Sequence, residues 1–214
     1  QLGASGGPAP LDLPTDRPRP KRQTFNGASV ELTVPSGVLA GLRALGKAHG
    51  ASLYMTLLGA YQLLLSRYSR QEEVCVGSAY AGRDDGATES IMGYFVNTLA
   101  MKCDVSGAGG ATFVELLGRV RRTVLGAFAH ADVPFHHVVS ALKVSRDASR
   151  TPVFQAMFGM HDRASEQQSD GAGSAGADVQ SVFAGGSDDA ADADGGIATT
   201  AKFDLSLHVQ PTLA

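Results

Sequence analysis

The chain reads as an α/β protein, a layered sandwich built on a mixed sheet. Two observations carry that reading. Segments with apolar residues at helical spacing alternate along the chain with short β-branched or aromatic runs. The strands so marked are not adjacent in sequence, so helices must lie between them and against the sheet.

The elements follow in order. Residues 1–24 read as a linker and an extended basic approach. Gln1–Pro10 is rich in Gly, Pro and Ala, and Pro14, Pro18 and Pro20 then alternate with Arg17, Arg19, Lys21 and Arg22. Ala28–Val34 alternates apolar and polar and predicts a strand. Pro35-Ser36 opens a helix with Val38, Leu42 and Leu45 on one face, ending at Gly50. Ser52 caps a second helix to about Tyr68, whose apolar residues cover most of its circumference and predict burial nearly all round. Glu73–Tyr80 and Gly93–Cys103 read as strands. Thr112 and Glu115 form a capping box, and the helix they open repeats Phe113, Leu116, Leu117, Val120, Val124, Leu125 and Phe128 at helical spacing. Asp132-Val-Pro134 breaks that helix, and Phe135–Leu142 is a short one. Val153–His161 and Ala198–Val209 complete the strands.

Composition bounds the function. The chain has 214 residues, 43% of them hydrophobic, with 18 basic against 21 acidic side chains. That length suits one domain, or two at most, burying roughly 70% of its unfolded surface. A net charge of −3 gives no cationic face, so nucleic acid is not an expected partner. Gly50–Ser66 is the longest charge-free apolar stretch. It is short for a membrane span and interrupted by Ser52, Thr56 and Gln62, so no membrane association is expected. Two cysteines, Cys75 and Cys103, make no disulfide framework, and no secretory signal opens the chain. The expected location is cytoplasmic. The chain has no start methionine and reads as a piece of something longer. Between Ala164 and Ala201 there is no Lys or Arg but seven acids, in an Ala, Gly, Asp and Ser background. Residues 164–195 therefore read as a flexible acidic loop, dispensable for folding, with one candidate short strand at Asp178–Phe183. The body runs over 25–209, and 210–214 is a tail.

Three pattern matches are set aside. Gly3-Ala4-Ser5-Gly6-Gly7 fits G-x-S-x-G, but no strand precedes it to expose the serine. Ser140-Ala-Leu-Lys143 fits S-x-x-K without its partner motifs. His130, His136 and His137 have no companions at metal-ligand spacing, so no metal is expected.

Three other stretches act together. Met92-Gly-Tyr-Phe-Val-Asn-Thr-Leu99, His130-Ala-Asp-Val-Pro-Phe135 and Arg146-Asp-Ala-Ser-Arg-Thr-Pro152 resemble, in order, the "I/V-G-x-F-V-N-T", "H/N-Q-D-x-P-F-E" and "R-D-x-S-R-x-P" motifs of nonribosomal peptide synthetase condensation domains. Leu13–Pro18 and Thr200–Leu205 resemble family segments that bracket this region. Ala131, His136 and Lys102 depart from the usual Gln, Glu and Arg. The catalytic H-H-x-x-x-D-G is missing; His136-His137 lacks its Asp and Gly and lies inside the second motif. The chain thus resembles the C-terminal lobe of a two-lobed domain with the chloramphenicol-acetyltransferase-like fold.

The resemblance implies amide formation between a donor acyl and an acceptor aminoacyl group, each on a carrier-protein phosphopantetheine arm, with no cofactor bound directly. It implies a catalytic histidine on the N-terminal lobe, outside this chain, and an isolated chain that makes no amide bond. Its partners are that lobe, the donor and acceptor carrier proteins, and a neighbouring adenylation domain. Asn97 and Phe95 are placed at the substrate tunnel. The partner of the Asn97 amide stays open between backbone and a substrate or facing-lobe group. Gly93, Thr98, Asp132, Pro134, Phe135, Arg146, Asp147, Ser149 and Arg150 are expected to shape the motifs, the last four as a salt-bridged loop with the arginines as alternative carrier contacts. A non-catalytic docking module and a relative using coenzyme A remain the alternative functions. The presence of H-H-x-x-x-D-G in the preceding region would separate amide formation from the docking module.

Overall fold

A computed structural model describes residues 2, 7–83, 86–107, 112–145, 147–160 and 200–210. The acidic loop, the candidate strand at Asp178–Phe183, Arg146, the G-x-S-x-G serine and the 211–214 part of the tail lie outside the described residues.

The helices follow local signals. Helix α1 spans Ser36–Ala48 and α2 spans Leu53–Ser69, where Ser52 Oγ accepts from the Met55 amide at 3.2 Å. A short α3 covers Gly86–Glu89. Helix α4 spans Phe113–Phe128. Its capping box is complete: Thr112 N donates to Glu115 Oε2 at 2.8 Å, and Glu115 N donates to Thr112 Oγ1 at 3.4 Å. Helix α5 covers Phe135–Leu142 behind Pro134.

The strands are β1 (Glu73–Tyr80), β2 (Asn97–Asp104), β3 (Ala156–Met160) and β4 (Leu205–Val209), in the order β2-β1-β3-β4. β1 pairs antiparallel with β2, setting Val74 opposite Cys103 and Tyr80 opposite Asn97. It pairs parallel with β3, which pairs parallel with β4. The mixed sheet of the sequence reading is present, covered on both faces. On one face α2 and α4 bury Leu58, Leu65, Val120 and Val124 against Val74, Val76, Met101 and Phe158. On the other, Leu142 of α5 joins Cys75, Val153, Phe154 and Met157. This two-sided cover explains why β1 is buried at five consecutive positions.

The structure corrects five expectations. Ala28–Val34 is not a strand. Val30 and Leu32 stand 84% and 87% exposed, and the segment's nearest ladder contact is the single bridge Asn26–Thr200. Alternation supplied a face, but no neighbouring strand among the described residues completes it. The strand expected from Gly93 begins at Asn97, because the Ile91 and Gly93 carbonyls are taken by Arg83. The strand expected from Val153 begins at Ala156. Phe154 N donates to Pro152 O at 2.9 Å, closing a three-residue turn about Val153, whose φ is +71°. The strand expected from Ala198 begins at Leu205: Ala201 N donates to Phe25 O and Asp204 N to Gln155 O, diverting the approach. Finally, α2 is not buried all round. Leu64 is 50% and Tyr68 63% exposed, and Leu64 edges an open apolar groove of about 480 Å³ with Leu42, Leu45, Leu63 and Phe113.

Candidate functional site

The first two motifs meet in space. Asn97 opens β2, and its side chain reaches across to the turn between α4 and α5. Its Nδ2 donates to Ala131 O at 2.7 Å and to Val133 O at 2.8 Å. Its Oδ1 accepts from Thr98 N at 2.8 Å and Phe135 N at 3.2 Å. An amide has two protons and two acceptor positions. All four are matched by backbone groups, so the hydrogen bonds are those of the backbone alternative left open by the sequence. Asn97 thereby fixes the Ala131–Phe135 corner by its carbonyls. Asp132 is exposed and takes no part in that set; Pro134 supplies the N-cap of α5 with φ −61°.

Phe95 lies before the strand rather than in alternation with Asn97. The Arg83 guanidinium carbon stands 4.5 Å from the centre of its ring. The same guanidinium donates to the carbonyls of Thr88, Ile91 at 3.0 Å and Gly93 at 3.2 Å. Gly82 makes room for this arrangement: its φ is +67°, and a Cβ there would stand 2.3 Å from Phe95 O. A Cβ on Gly93 would meet the Phe95 ring at 3.1 Å. Sequence reasoning missed Arg83. Its signal was a lone cation just after a strand, with no Lys or Arg following until Lys102.

The third motif joins distant parts of the chain. Asp147 Oδ1 accepts from Ser149 N at 2.8 Å and Ser149 Oγ at 2.7 Å, and these bonds hold its carboxyl below the usual aspartate range. Arg150 donates to Leu11 O at 3.2 Å and lies 3.7 Å from Asp12 and 4.0 Å from Asp147. Arg19 donates to Ser149 O and pairs with both carboxylate oxygens of Asp204. Buried Gln155, also missed, accepts from Leu11 N at 2.6 Å and donates to Thr151 O at 2.8 Å. An amide within Pro152–Phe158, otherwise apolar, was its sequence signal. The motif therefore ties residues 11–23 to the approach of β4.

The remaining reactive groups have structural settings. His136 and His137 are exposed on the first turn of α5, with ring centres 4.3 Å apart, and no carboxylate bonds either imidazole among the described residues. Ser140 Oγ donates to His136 O, which occupies the hydroxyl of the S-x-x-K match. Burial pushes the Cys75 thiol up to about 12 and the Cys103 thiol up to about 11. Lys102 pairs with Glu73 at 2.9 Å. Tyr54 donates to Ser78 Oγ, which donates to Phe158 O, and burial raises the Tyr54 phenol. Among the described residues there is no group of three or more His, Cys, Asp or Glu able to hold a metal, and no helix long and apolar enough to cross a membrane.

Comparison with known proteins gives a consistent picture. The family model described as "Condensation domain" matches residues 4–213. A linear gramicidin synthase from Brevibacillus parabrevis is 51% identical over 154 residues, 72% of this chain and 2% of that protein. Surfactin synthase subunit 1 of Bacillus subtilis (strain 168) is 44% identical over 152 residues, 71% of this chain and 4% of that protein. The chain thus spans only a few per cent of the length of these curated relatives. Among solved structures, the X-domain from teicoplanin biosynthesis matches with a TM-score of 0.68 and 28% identity, covering 74% of this chain and 35% of that one. The four-domain nonribosomal peptide synthetase AB3403 matches with a TM-score of 0.66 and 28% identity, covering 68% and 11%.

Proposed function

The chain belongs to the condensation-domain family, and on that premise we propose that it is the second lobe of a domain joining two carrier-tethered substrates by an amide bond. Its sheet and covering helices form part of the chloramphenicol-acetyltransferase-like fold of condensation domains. In the proposed reaction the acceptor's amine nitrogen attacks the donor's thioester carbonyl carbon. A C–N bond forms, the C–S bond breaks, the amine gives up a proton and the phosphopantetheine sulfur leaves as a thiol. The histidine that manages the proton belongs to the facing lobe in this reading. The present lobe contributes a wall, a fixed acceptor-side surface and docking for carriers, so its share is positioning.

The observation that carries the reading is the convergence of motifs. Asn97 of the first holds the backbone of the second through Ala131, Val133 and Phe135. An amide that makes three of its four hydrogen bonds to backbone 34 to 38 residues away supports a shaped corner rather than a reactive one. Asn97 and Phe95 then act on the tunnel through the segments that they hold. Among the described residues no carboxylate orients His136 or His137 for acid–base work.

The test compares the 214-residue chain with an intact two-lobed parent domain, each supplied with loaded donor and acceptor carrier proteins. Dipeptide on the acceptor carrier is read by mass spectrometry. The parent is expected to form product, the single chain none, and His137→Ala in the parent is expected to leave the rate unchanged. Dipeptide formed by the single chain and abolished by His137→Ala overturns the reading.

A further inference from the structure

Two asparagines stand in the chain, and their settings are opposite. Asn97 is half-buried, and all four positions of its amide are taken by backbone. The next residue is β-branched Thr98, whose N–H donates to Asn97 Oδ1 at 2.8 Å. Asn26 is exposed, and the next residue is Gly27, which has no β-carbon to hinder approach to its nitrogen. Asn26 belongs to a clasp: it bridges Thr200, and Ala201 N donates to Phe25 O at 2.8 Å. The bridge is a single pair. Beyond it Val30 and Leu32 stand in solvent, and among the described residues no ladder holds that side shut. Before it Phe25 sits at φ +60°, a left-handed value unfavourable for a residue with a side chain, so opening relieves strain.

We propose that Asn26-Gly27 is a site of self-modification, at which the side-chain amide is lost through a cyclic imide and the clasp on the approach to β4 is released. When the clasp opens, the Gly27 backbone nitrogen attacks Asn26 Cγ. The new C–N bond closes a succinimide ring, the Cγ–Nδ2 bond breaks, and the Gly27 amide proton leaves with the side-chain nitrogen as ammonia. Water, the only co-reactant, then opens the ring at either carbonyl. Cleavage at Cγ leaves aspartate. Cleavage at the main-chain carbonyl leaves isoaspartate, with the backbone routed through Cγ. No atom changes oxidation state. Either product puts a carboxylate where a neutral amide stood, and the longer isoaspartate backbone breaks the register of Asn26 with Thr200. Gly27 is itself partnered in the folded chain, so ring closure waits on local opening and its rate counts that opening. The ties nearer β4, from Gln23 Nε2 to Lys202 O at 2.7 Å and from Arg19 to Asp204, remain.

The test incubates the intact parent protein in heavy-oxygen water at physiological temperature and maps its peptides by mass spectrometry. Asn26 is expected to convert with uptake of heavy oxygen, isoaspartate being the larger product, while Asn97 stays intact. The rate should rise several-fold with each unit of pH, because the attacking amide must lose its proton. Aspartate without isoaspartate overturns the cyclic route. An Asn26 that converts in urea but not in the folded protein overturns the site. Gly27→Ala should slow conversion several-fold, and an equal rate overturns the part given to Gly27. Ala201→Pro removes the N–H that closes the clasp and should speed conversion several-fold; an unchanged rate overturns the gating. The last readout is amide exchange at Ala201, expected to be several-fold faster in the converted protein, and unchanged exchange overturns release of the clasp. None of these measurements reads condensation, so their failure leaves the proposed function standing.

Discussion

Asn97 is a half-buried amide whose four hydrogen-bonding positions all end on backbone. Replacing it by Ala leaves the Ala131 and Val133 carbonyls and the Phe135 amide without their partner. Each such group costs about 1–3 kcal/mol when kept from water, less where solvent reaches it. Asn97→Ala is therefore expected to destabilise the chain by about 2–3 kcal/mol, read from the urea midpoint at constant slope. An unchanged midpoint would show that the corner holds itself. The sequence made Asn97 conspicuous, as a polar residue in an apolar run, and could not name its partners. Those on the corner lie 34 to 38 positions away, on a turn whose approach depends on how α4 packs. Arg83 and Gln155 escaped notice for the same reason. Arg83 bonds the carbonyls of Thr88, Ile91 and Gly93, and carbonyls carry no sequence signature.

At the scale of elements, the lead-in to β3 is built around one missing side chain. A Cβ on Gly77 in β1 would stand 2.2 Å from the Phe154 ring, which the turn at Val153 aims across the strand. Gly77→Ala is expected to cost about 1–3 kcal/mol or more by overpacking. Adding Phe154→Leu should restore part of the loss, giving a favourable coupling in a double-mutant cycle. Additive effects would mean that ring and strand do not touch. Helices were more legible than strands. Ser52, the Thr112–Glu115 box and Pro134 are local signals, and α2, α4 and α5 begin where those residues place them. Strand starts are negotiated with distant groups: Arg83 delays β2, the Val153 turn delays β3, and Phe25 with Gln155 delays β4. Ala28–Val34 shows the converse, with unbroken alternation and no ladder to join.

For the whole molecule, connection lengths matter more than contacts. Forty-four residues separate Met160 from Leu205, and β3 and β4 run parallel. A parallel crossover needs about a dozen residues. Deleting Ala164–Gly195 leaves twelve, enough to span, and a shorter closed loop should add about 1 kcal/mol of stability by chain entropy. The measurement is the thermal midpoint of the deletion variant; a large fall would show that the segment contributes contacts to the fold. The same spacing imposes a timetable. β1 and β2 are separated by sixteen residues and pair antiparallel, so that ribbon, with α2 beside it, closes at small entropic cost. β3 must find β1 from 75 residues away, and β4 must then find β3. Refolding should accordingly nucleate on the antiparallel half and add the parallel half late. Since the third motif anchors residues 11–23 to the approach of β4, a segment that precedes every helix and strand in sequence is among the last to acquire its native neighbours.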